Sequence, residues 1–460
     1  MPRSNPRRTR RPSPVAAAVA AALVLVLAAC GSRLPESDFE QSAPAPGAGG
    51  APNANTASDV GVTPTEIRVG MIDTASGLLG GETFSGPMYG AQAFFKALNA
   101  KGGINGRTVK VVGCDDEGAG FVNQKCARRL VDDDKVFAFA GNSVYKYDGA
   151  EYVSAKGVPD VGGIPVGNAY DTYRHLYSLY GSNAPRDGKV GWNGTLYQNT
   201  AVYRYFKEKL GARTAAVVSY NQADSARYAD SIADGLRAEG YTVLDKQVDF
   251  ALANFDAAVA DMRNRGVDIV FDSIDTRGNS LLCKAMDGAG LKVQAKVSTV
   301  QSQNALVKDE FADSPACRDS IYVTGTSRSY EDVGHPAVAE FREAMRTYFP
   351  DREDKMSQWT LEGWASARFL TDAIASCGAD VTRACVEAFV DRPQGYDAHG
   401  LLVPVDFRPL TAEEVQRPAK WCINAVRWQD SAGNGRGGWV DQVPDMDANC
   451  FDVPSLPYKP

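Results

Sequence analysis

The chain has 460 residues, of which 23% are charged and 44% are hydrophobic, and its formal net charge is −7. This length is sufficient for two or more domains with cores of their own. The acidic balance argues against nucleic acid or an anionic lipid surface as a binding partner of the folded part.

The first 29 residues predict a signal peptide rather than a folded element. Five arginines precede an apolar run over 15–29, which is short for a bilayer span and typical of a signal h-region. The run ends in Leu27-Ala28-Ala29-Cys30, which resembles the lipobox of bacterial lipoproteins. The resemblance implies cleavage before Cys30 and lipidation of that residue. The alternative is an ordinary cleavage site at small residues, followed by an unrelated cysteine.

Residues 30–64 predict a lipidated cysteine followed by a flexible tether. The segment is rich in Ala, Pro, Gly, Asn and Ser and shows no apolar periodicity. Such a composition buries too little surface to offset the entropy lost on ordering. We therefore expect an extracytoplasmic, monomeric protein, anchored to the cell membrane through Cys30.

Strands and helices alternate from residue 67 onward. In the first half, strands are predicted over 67–72, 108–113, 136–140, 158–163 and 175–180, and helices from Pro87 to Gly102 and over 121–131 and 145–156. In the second half, strands are predicted over 214–220, 242–248, 267–271, 296–300 and 321–324, and helices over 197–210, 225–239, 255–265 and 279–289. Strands separated by helices of this length imply parallel sheets with right-handed crossovers. The fold class is therefore α/β, with two doubly wound, Rossmann-like lobes.

The last third is predicted to be mainly helical, with a short β-rich tail. Helices are predicted over 336–348, 357–376 and 381–390, and strands near 401–407 and 421–428.

Eight cysteines follow Cys30, and an even number in an exported chain indicates disulfides. Pairing of sequence neighbours gives modest loops and is the preferred connectivity among the many that eight cysteines allow: Cys114–Cys126, Cys283–Cys317, Cys377–Cys385 and Cys422–Cys450. A metal site is the rival interpretation, but the cysteines lack CxxC spacing and nearby histidines.

The segment NAKGGINGR at 99–107, followed by a strand and by Asp115 and Asp116, resembles the type I periplasmic binding proteins of the branched-chain amino-acid receptor group. The segment Thr63-Pro-Thr-Glu-Ile-Arg-Val-Gly70, which leads into the first predicted strand, is similar to the corresponding segment of that group as well. The resemblance implies two lobes joined by three hinge crossings. Lobe 1 would take 65–182 and 326–398, and lobe 2 would take 183–325 and 399–460.

The resemblance further implies that the chain captures a small polar ligand, such as an amino acid or amide, by hinge closure and delivers it to the permease of an ABC importer. The alternative is a tethered sensor of the same fold, which reports its ligand to a signalling receptor. The sequence does not discriminate between these two roles.

Ligands of open α/β sheets bind beyond the carboxyl ends of the strands. The loops at those ends supply the candidate ligand-binding residues Thr74, Ser76, Phe84, Asn142, Ser143, Tyr145, Gly163, Ile164, Val166, Tyr220, Tyr228, Asp272, Asp275 and Gln301.

The family pattern for amino-acid ligands is only partly present. The resemblance places Ser143 or Asn142 at the serine that holds the ligand carboxylate, whereas 163–166 lacks the expected threonine. Gln301, a neutral amide, stands where an acidic residue meets the ammonium, although Asp272 or Asp275 could supply that charge. Because an unmatched buried charge is costly, a standard amino acid is disfavoured as the ligand.

Catalysis is not predicted. The three histidines, His175, His335 and His399, lie in separate segments, and no hydrolase, phosphate-loop or zinc-protease motif is present. We therefore expect a protein that is not an enzyme and that requires no cofactor or metal.

Overall fold

The computed structural model describes residues 55–77 and 81–460. The predicted signal peptide, Cys30 and residues 31–54 lie outside the described residues. The strands are β1 (Glu66–Asp73), β2 (Thr108–Asp115), β3 (Ala138–Ala140), β4 (Ser143–Val144), β5 (Asp160–Pro165), β6 (Leu176–Ser178), β7 (Leu196–Asn199), β8 (Thr214–Tyr220), β9 (Thr242–Val248), β10 (Ile269–Ser273), β11 (Ala295–Ser298), β12 (Ile321–Gly325), β13 (Ala419–Cys422), β14 (Asn424–Gln429), β15 (Gly438–Asp441), β16 (Cys450–Val453) and β17 (Ser455–Tyr458). The helices are α1 (Glu82–Ala100), α2 (Gly120–Arg128), α3 (Ala150–Ala155), α4 (Ala201–Lys209), α5 (Ala223–Ala238), α6 (Asp256–Asn264), α7 (Thr276–Gly288), α8 (Val307–Glu310), α9 (Pro315–Arg318), α10 (Pro336–Tyr348), α11 (Gln358–Ser376) and α12 (Arg383–Val390).

The first sheet forms the centre of lobe 1. Its strand order is β2-β1-β3-β5-β4, with β6 paired to β5, and its strands are parallel. Parallel strands are covered on both faces, which explains why β1 reads as a nearly continuous apolar run that is buried from Val69 onward.

The second sheet forms the centre of lobe 2 and repeats the same winding. Its order is β15-β14-β12-β11-β10-β8-β9, in which β8 to β12 are parallel and β14 and β15 are antiparallel additions from the tail. Both sheets place their first strand between the second and the third, the order of a doubly wound fold with a switch point at its carboxyl edge. The predicted α/β class with two such lobes is confirmed.

Helices α1 and α11 cross in close contact over the first sheet. A Cβ added at Gly90 would lie 1.8 Å from the carbonyl oxygen of Thr360, and one added at Gly363 would lie 2.1 Å from that of Pro87. Glycine is needed at both positions because the two backbones touch. Helix α11 begins with a capping box, in which Ser357 and Thr360 satisfy each other's backbone N–H groups.

The chain passes between the lobes three times, after β6, after β12 and before β13, and these crossings lie side by side. The Ser182 N–H donates to the Asp406 carbonyl at 3.1 Å, and the Val403 N–H donates to the Thr326 carbonyl at 2.7 Å. The first and second crossings are therefore each hydrogen-bonded to the segment that leads into the third.

The third crossing comes later than the predicted boundary at residue 398. Residues 399–407 remain on lobe 1, where the Phe407 ring packs 5.2 Å from Tyr177 and 6.3 Å from Phe369, between ring centroids. The strand predicted near 401–407 is also wrong. Only the isolated bridges Tyr396 to Val405 and Ser327 to Leu402 form there.

The described start of the chain is packed against lobe 1, so the prediction of a flexible tether through residue 64 is wrong for 55–64. The Thr56 hydroxyl donates to Asp380 at 2.8 Å, and the Ser58 hydroxyl donates to the Val381 carbonyl at 2.7 Å. Polar side chains that look typical of a linker instead make hydrogen bonds with a distant loop of the body.

Three predicted helices have different bounds. Helix α1 begins at Glu82 and contains Pro87, which was predicted to open it. The helix predicted over 145–156 is reduced to α3, since residues 145–149 form a bend and a turn after β4. The helix predicted from 197 begins at Ala201, because Leu196–Asn199 pairs with β17.

The eight cysteines form four disulfides between sequence neighbours, as preferred from the sequence. Cys114–Cys126 and Cys377–Cys385 lie in lobe 1, and Cys283–Cys317 and Cys422–Cys450 lie in lobe 2. None of these four bonds connects the lobes.

Candidate functional site

A cavity of about 350 Å³ lies between the lobes, and we call it the interlobe cavity. Lobe 2 supplies most of its wall from the carboxyl ends of β10, β11 and β12, where a doubly wound sheet presents its ligand-binding edge. Helix α11 of lobe 1 and the first crossing close the opposite side. Its lining residues are Tyr180, Val202, Tyr203, Tyr228, Ile232, Phe271, Asp272, Val297, Ser298, Thr299, Val300, Thr324, Gly325, Thr326 and Glu362.

Aromatic side chains give the cavity an apolar wall. Tyr203 is buried and packs edge-to-face on Phe271, with ring centroids 5.4 Å apart. Tyr228 is 53% exposed, so its ring is available to a bound molecule. Burial and the neighbouring Glu362 carboxyl raise the pKa of the Tyr180 hydroxyl well above its usual value, which keeps this phenol a neutral hydrogen-bond donor.

A buried ion pair lies behind the wall contributed by lobe 2. The Lys296 ammonium contacts the Asp272 carboxylate at 2.5 Å, and both side chains are fully enclosed. Lys296 also donates to Asn279 and to the Ser298 hydroxyl, and the Asn279 amide donates to Asp272 at 3.0 Å. Burial lowers the pKa of Lys296, and the adjacent Asp272 carboxylate opposes this shift. The charge of Asp272 is therefore balanced within the protein.

The carboxyl group of Glu362 connects two crossings from its position on α11. The Ser327 hydroxyl, just after β12, donates to one carboxyl oxygen at 2.5 Å, and the Tyr180 hydroxyl, just after β6, donates to the other at 2.7 Å. Glu362 is 1% exposed. Burial raises the pKa of Glu362 to about 7, although the two hydrogen bonds partly oppose the shift.

Two of the predicted binding residues, Tyr228 and Asp272, line the interlobe cavity. Gln301 lies next to the lining residue Val300 in a 3-10 turn, but it does not itself line the cavity. Tyr220 and Asp275 are hydrogen-bonded to each other at 2.7 Å and line a separate groove of about 610 Å³ with Phe250 and Leu252. Asp275 also caps α7 by accepting from the Gly278 N–H, which explains its position after β10.

The predicted hydroxyl ligands of lobe 1 are bonded to acidic neighbours instead. The Thr74 hydroxyl donates to Asp116 at 2.7 Å, and the Ser76 hydroxyl donates to Asp115 at 2.5 Å. These bonds fix the loop after β1 to the end of β2. Both hydroxyl protons are committed, so we assign Thr74 and Ser76 a structural role.

Asn142 is likewise committed within lobe 1. Its amide oxygen accepts from the Ile72 N–H at 2.7 Å, and its amide nitrogen donates to Asp160 at 2.8 Å. The expected ligand contact of Asn142 is therefore not supported. Ser143 is fully buried, and its hydroxyl has no hydrogen-bond partner among the described residues.

The remaining predicted residues of lobe 1 lie around a second cavity. Tyr145 and Val166 line this cavity of about 440 Å³, which we call the lobe 1 cavity, together with Tyr173 and others. Gly163 and Ile164 lie beneath it; Ile164 is buried, and a Cβ on Gly163 would overlap the Tyr170 hydroxyl.

Phe84 connects this region to the interlobe side of α11. Its ring packs edge-to-face on Tyr145 and on Trp359, with centroids 6.4 and 5.4 Å away.

Sequence reasoning missed most of the interlobe site, including the polar residues Tyr180 and Glu362 of its lining and Lys296 in the ion pair beneath it. Lys296 was assigned to an apolar strand, where a charged side chain signals a buried ion pair. Glu362 stands between Leu361 and Gly363-Trp364 on α11, where a charged side chain among apolar neighbours is a similar signal. Neither signal indicates which cavity the side chain faces.

The part of the chain that the structure describes contains no group of three or more His, Cys, Asp or Glu side chains arranged to hold a metal ion. In the same described ranges, no helix combines the length and apolar character needed to cross a bilayer.

Comparisons with known proteins agree with this architecture. The sequence profile described as "Periplasmic binding protein" matches residues 66–433. An amino acid binding protein of Pseudomonas aeruginosa is 24% identical over 329 residues, which cover 67% of this chain and 80% of that protein.

Two solved structures share the fold at low identity. The fatty acid ABC transporter substrate-binding protein from Thermomonospora curvata has a TM-score of 0.63 at 16% identity. The match covers 86% of this chain and 97% of that protein's chain. The second is the branched-chain amino acid transporter substrate binding protein from Streptococcus pneumoniae in complex with isoleucine. Its TM-score is 0.59 at 18% identity, and the match covers 82% of this chain and 100% of that protein's chain. With a family profile that spans most of the sequence and a two-lobed fold that matches, this chain belongs to the periplasmic binding protein family, with the type I fold.

Proposed function

We propose that this chain is the extracytoplasmic solute-binding lipoprotein of an ABC-type importer and that it binds its ligand in the interlobe cavity without catalysis. The observation that carries the proposal is the cavity itself, whose walls come from both lobes at the carboxyl edge of the second sheet. A ligand that contacts both walls stabilises the closed arrangement relative to the open one.

Two structural features support movement of the lobes about the crossings, and a third couples the cavity wall to the crossings. Each of the four disulfides stays within one lobe, so none opposes opening. The crossings are joined mainly by a few backbone hydrogen bonds. Tyr180 and Ser327, on two of the crossings, both bond to Glu362 in the cavity wall. A ligand that contacts Glu362 would therefore act on the hinge directly.

The size of the cavity fits a small molecule. Its volume of about 350 Å³ lies at the lower end of the range of ligand pockets in proteins, which begins near 300 Å³. The amino acid binding protein and the isoleucine complex among the similar proteins support a ligand of amino-acid size.

We expect Tyr228→Ala to weaken ligand binding by about tenfold or more, because a half-exposed aromatic in the cavity wall provides apolar contact. A thermal-shift screen of amino acids, amides, amines, small acids and sugars identifies the ligand, since a specific ligand raises Tm by mass action. Calorimetry then compares the affinity of the Tyr228→Ala variant for that ligand with the affinity of the unmodified chain.

Tyr173→Ala is the matched control, because Tyr173 lines the lobe 1 cavity. Its affinity should equal that of the unmodified chain. If Tyr173→Ala weakens binding and Tyr228→Ala does not, the ligand site is the lobe 1 cavity and this part of the proposal is wrong.

We expect Cys30→Ala to abolish lipid attachment, because the resemblance to a lipobox makes Cys30 the acylated residue. Metabolic labelling of cells with an alkyne fatty acid, followed by detection on a gel, measures the attachment. The double variant Cys422→Ala/Cys450→Ala, which removes two other cysteines, should retain the label. A labelled Cys30→Ala protein would show that the anchor lies elsewhere.

A further inference from the structure

The acidic groups of the interlobe cavity differ in how their charges are balanced. Two carboxyl groups, Asp272 and Glu362, line the cavity, and among the described residues its wall contains no arginine or lysine. Asp272 is matched by the enclosed ammonium of Lys296 at 2.5 Å. Glu362 has no ion-pair partner among the described residues and receives only the neutral hydroxyls of Ser327 and Tyr180.

The two hydroxyl bonds leave acceptor capacity on Glu362. A carboxylate offers about four lone-pair positions, two on each oxygen, and here each oxygen accepts one bond. A further donor can therefore bind without displacing either hydroxyl. An enclosed carboxylate that lacks a cation is unfavourable, so a cationic donor would gain most from the contact.

Within the part of the chain that the structure describes, the groups around Glu362 provide no competing cation. On the other walls, the phenols of Tyr180, Tyr203 and Tyr228 are neutral, and the Lys296 ammonium is committed to Asp272. Beyond the crossings, Arg328 pairs with Asp332 at 3.1 Å. Asp171 and Asp406, on the far side of Tyr180, are acidic.

The aromatic part of the wall suits the same ligand chemistry. Tyr203, Tyr228 and Phe271 line the same cavity as these carboxyl groups. Aromatic rings accept both an apolar ligand body and a nearby ammonium through cation–π attraction. A free carboxylate on the ligand would instead meet acidic groups and find no lining cation.

We propose that the ligand is a small organic cation, an amine with an apolar body and no free carboxylate, whose ammonium pairs with Glu362. This inference rests on the proposed function and names the ligand class of the same site. It predicts that the decarboxylated form of a branched or aromatic amino acid binds more tightly than the amino acid itself.

The pairing has a pH dependence of defined sign. Burial raises the pKa of Glu362 to about 7, so the carboxyl carries a proton at lower pH. It must release that proton in order to bind a cation. Amine affinity should therefore level off above pH 7, as long as the amine is protonated, and fall by up to about tenfold per pH unit below it. A neutral amide, which does not require the ionised form, should show a much smaller change.

The experiment is calorimetry on the mature chain with four compounds that share one side chain: isoamylamine, 4-methylpentanamide, 4-methylpentanoate and leucine. A second set uses 2-phenylethylamine, 3-phenylpropanamide, 3-phenylpropanoate and phenylalanine. We expect the amine to bind at least tenfold more tightly than the matched acid and the amino acid in one or both sets. Titrations at pH 6.5 in two buffers of different ionisation enthalpy should show proton release with the amine.

Glu362→Gln should remove the proton release and the pH dependence, and should weaken amine binding more than amide binding. Glu310→Gln is the matched control, because burial also raises the pKa of Glu310, which lies on α8 and does not line the cavity.

If Glu362→Gln does not fold, the proton release of the unmodified chain still decides the question. Tighter binding of the acid or the amino acid, or amine binding without proton release, overturns the cation inference but leaves the solute-binding proposal intact. Absence of binding by every class in the broad screen counts against the proposed function itself.

Discussion

Replacing Lys296 with methionine is expected to lower the free energy of unfolding by ~3–5 kcal/mol. Lys296 and Asp272 are both fully enclosed, and the ammonium also donates to Ser298 and Asn279. Methionine fills a similar volume but leaves Asp272 as a buried charge without a cation. The lost energy is mainly the cost of that uncompensated carboxylate rather than the strength of the original pair. Urea denaturation followed by circular dichroism measures the change.

Two controls separate this effect from a general effect of removing a lysine. The double variant Asp272→Asn/Lys296→Met removes both charges and should recover most of the lost stability. Lys284→Met breaks a pair with Asp313 in which the side chains are 63% and 76% exposed, and should change stability by no more than about 0.5 kcal/mol. A Lys296→Met protein as stable as the Lys284→Met protein would show that Asp272 does not carry a buried charge.

The fold could be predicted from the sequence because its signals are local. Runs such as Ile269–Phe271 are apolar and short, and helices of suitable length separate them, so parallel sheets follow from the pattern. The disulfide pairing was also accessible, because pairing of sequence neighbours closes modest loops, with sequence separations from 8 to 34. The tail was less accessible. Residues 399–407 hold their place through Phe407, whose partners Tyr177 and Phe369 are distant in sequence.

The site could be predicted only in part because position at a strand end does not determine the role of a side chain. Thr74 and Tyr228 both follow carboxyl ends of strands, yet Thr74 is bonded to Asp116 and Tyr228 lines the interlobe cavity. The difference depends on which neighbours satisfy each polar group in three dimensions. Glu362 was missed for the same reason. Its role depends on Tyr180 and Ser327, which reach it from two separate crossings.

Replacing both cysteines of the Cys283–Cys317 pair with alanine is expected to destabilise the chain by roughly 4 kcal/mol, through the entropy of the unfolded state. The bond closes a loop with a sequence separation of 34, and both residues are buried between α7 and α9. The corresponding change at Cys377–Cys385, with a separation of 8, should cost about 1 kcal/mol less, because a shorter loop loses less entropy on closure. Thermal and urea denaturation of the two double variants measure the difference.

Ligand affinity tests whether these bonds stabilise single lobes or restrict the hinge. Each bond lies within a single lobe, Cys283–Cys317 in lobe 2 and Cys377–Cys385 in lobe 1, and away from the lining of the interlobe cavity. Each double variant should therefore bind the ligand found by the screen with unchanged affinity while folded. A crosslink within a rigid lobe constrains the unfolded chain and not the relative motion of the lobes. Its removal should therefore lower stability and leave ligand affinity unchanged. If either variant binds differently at a temperature where it remains folded, the disulfide participates in closure, and the crossings alone do not form the hinge.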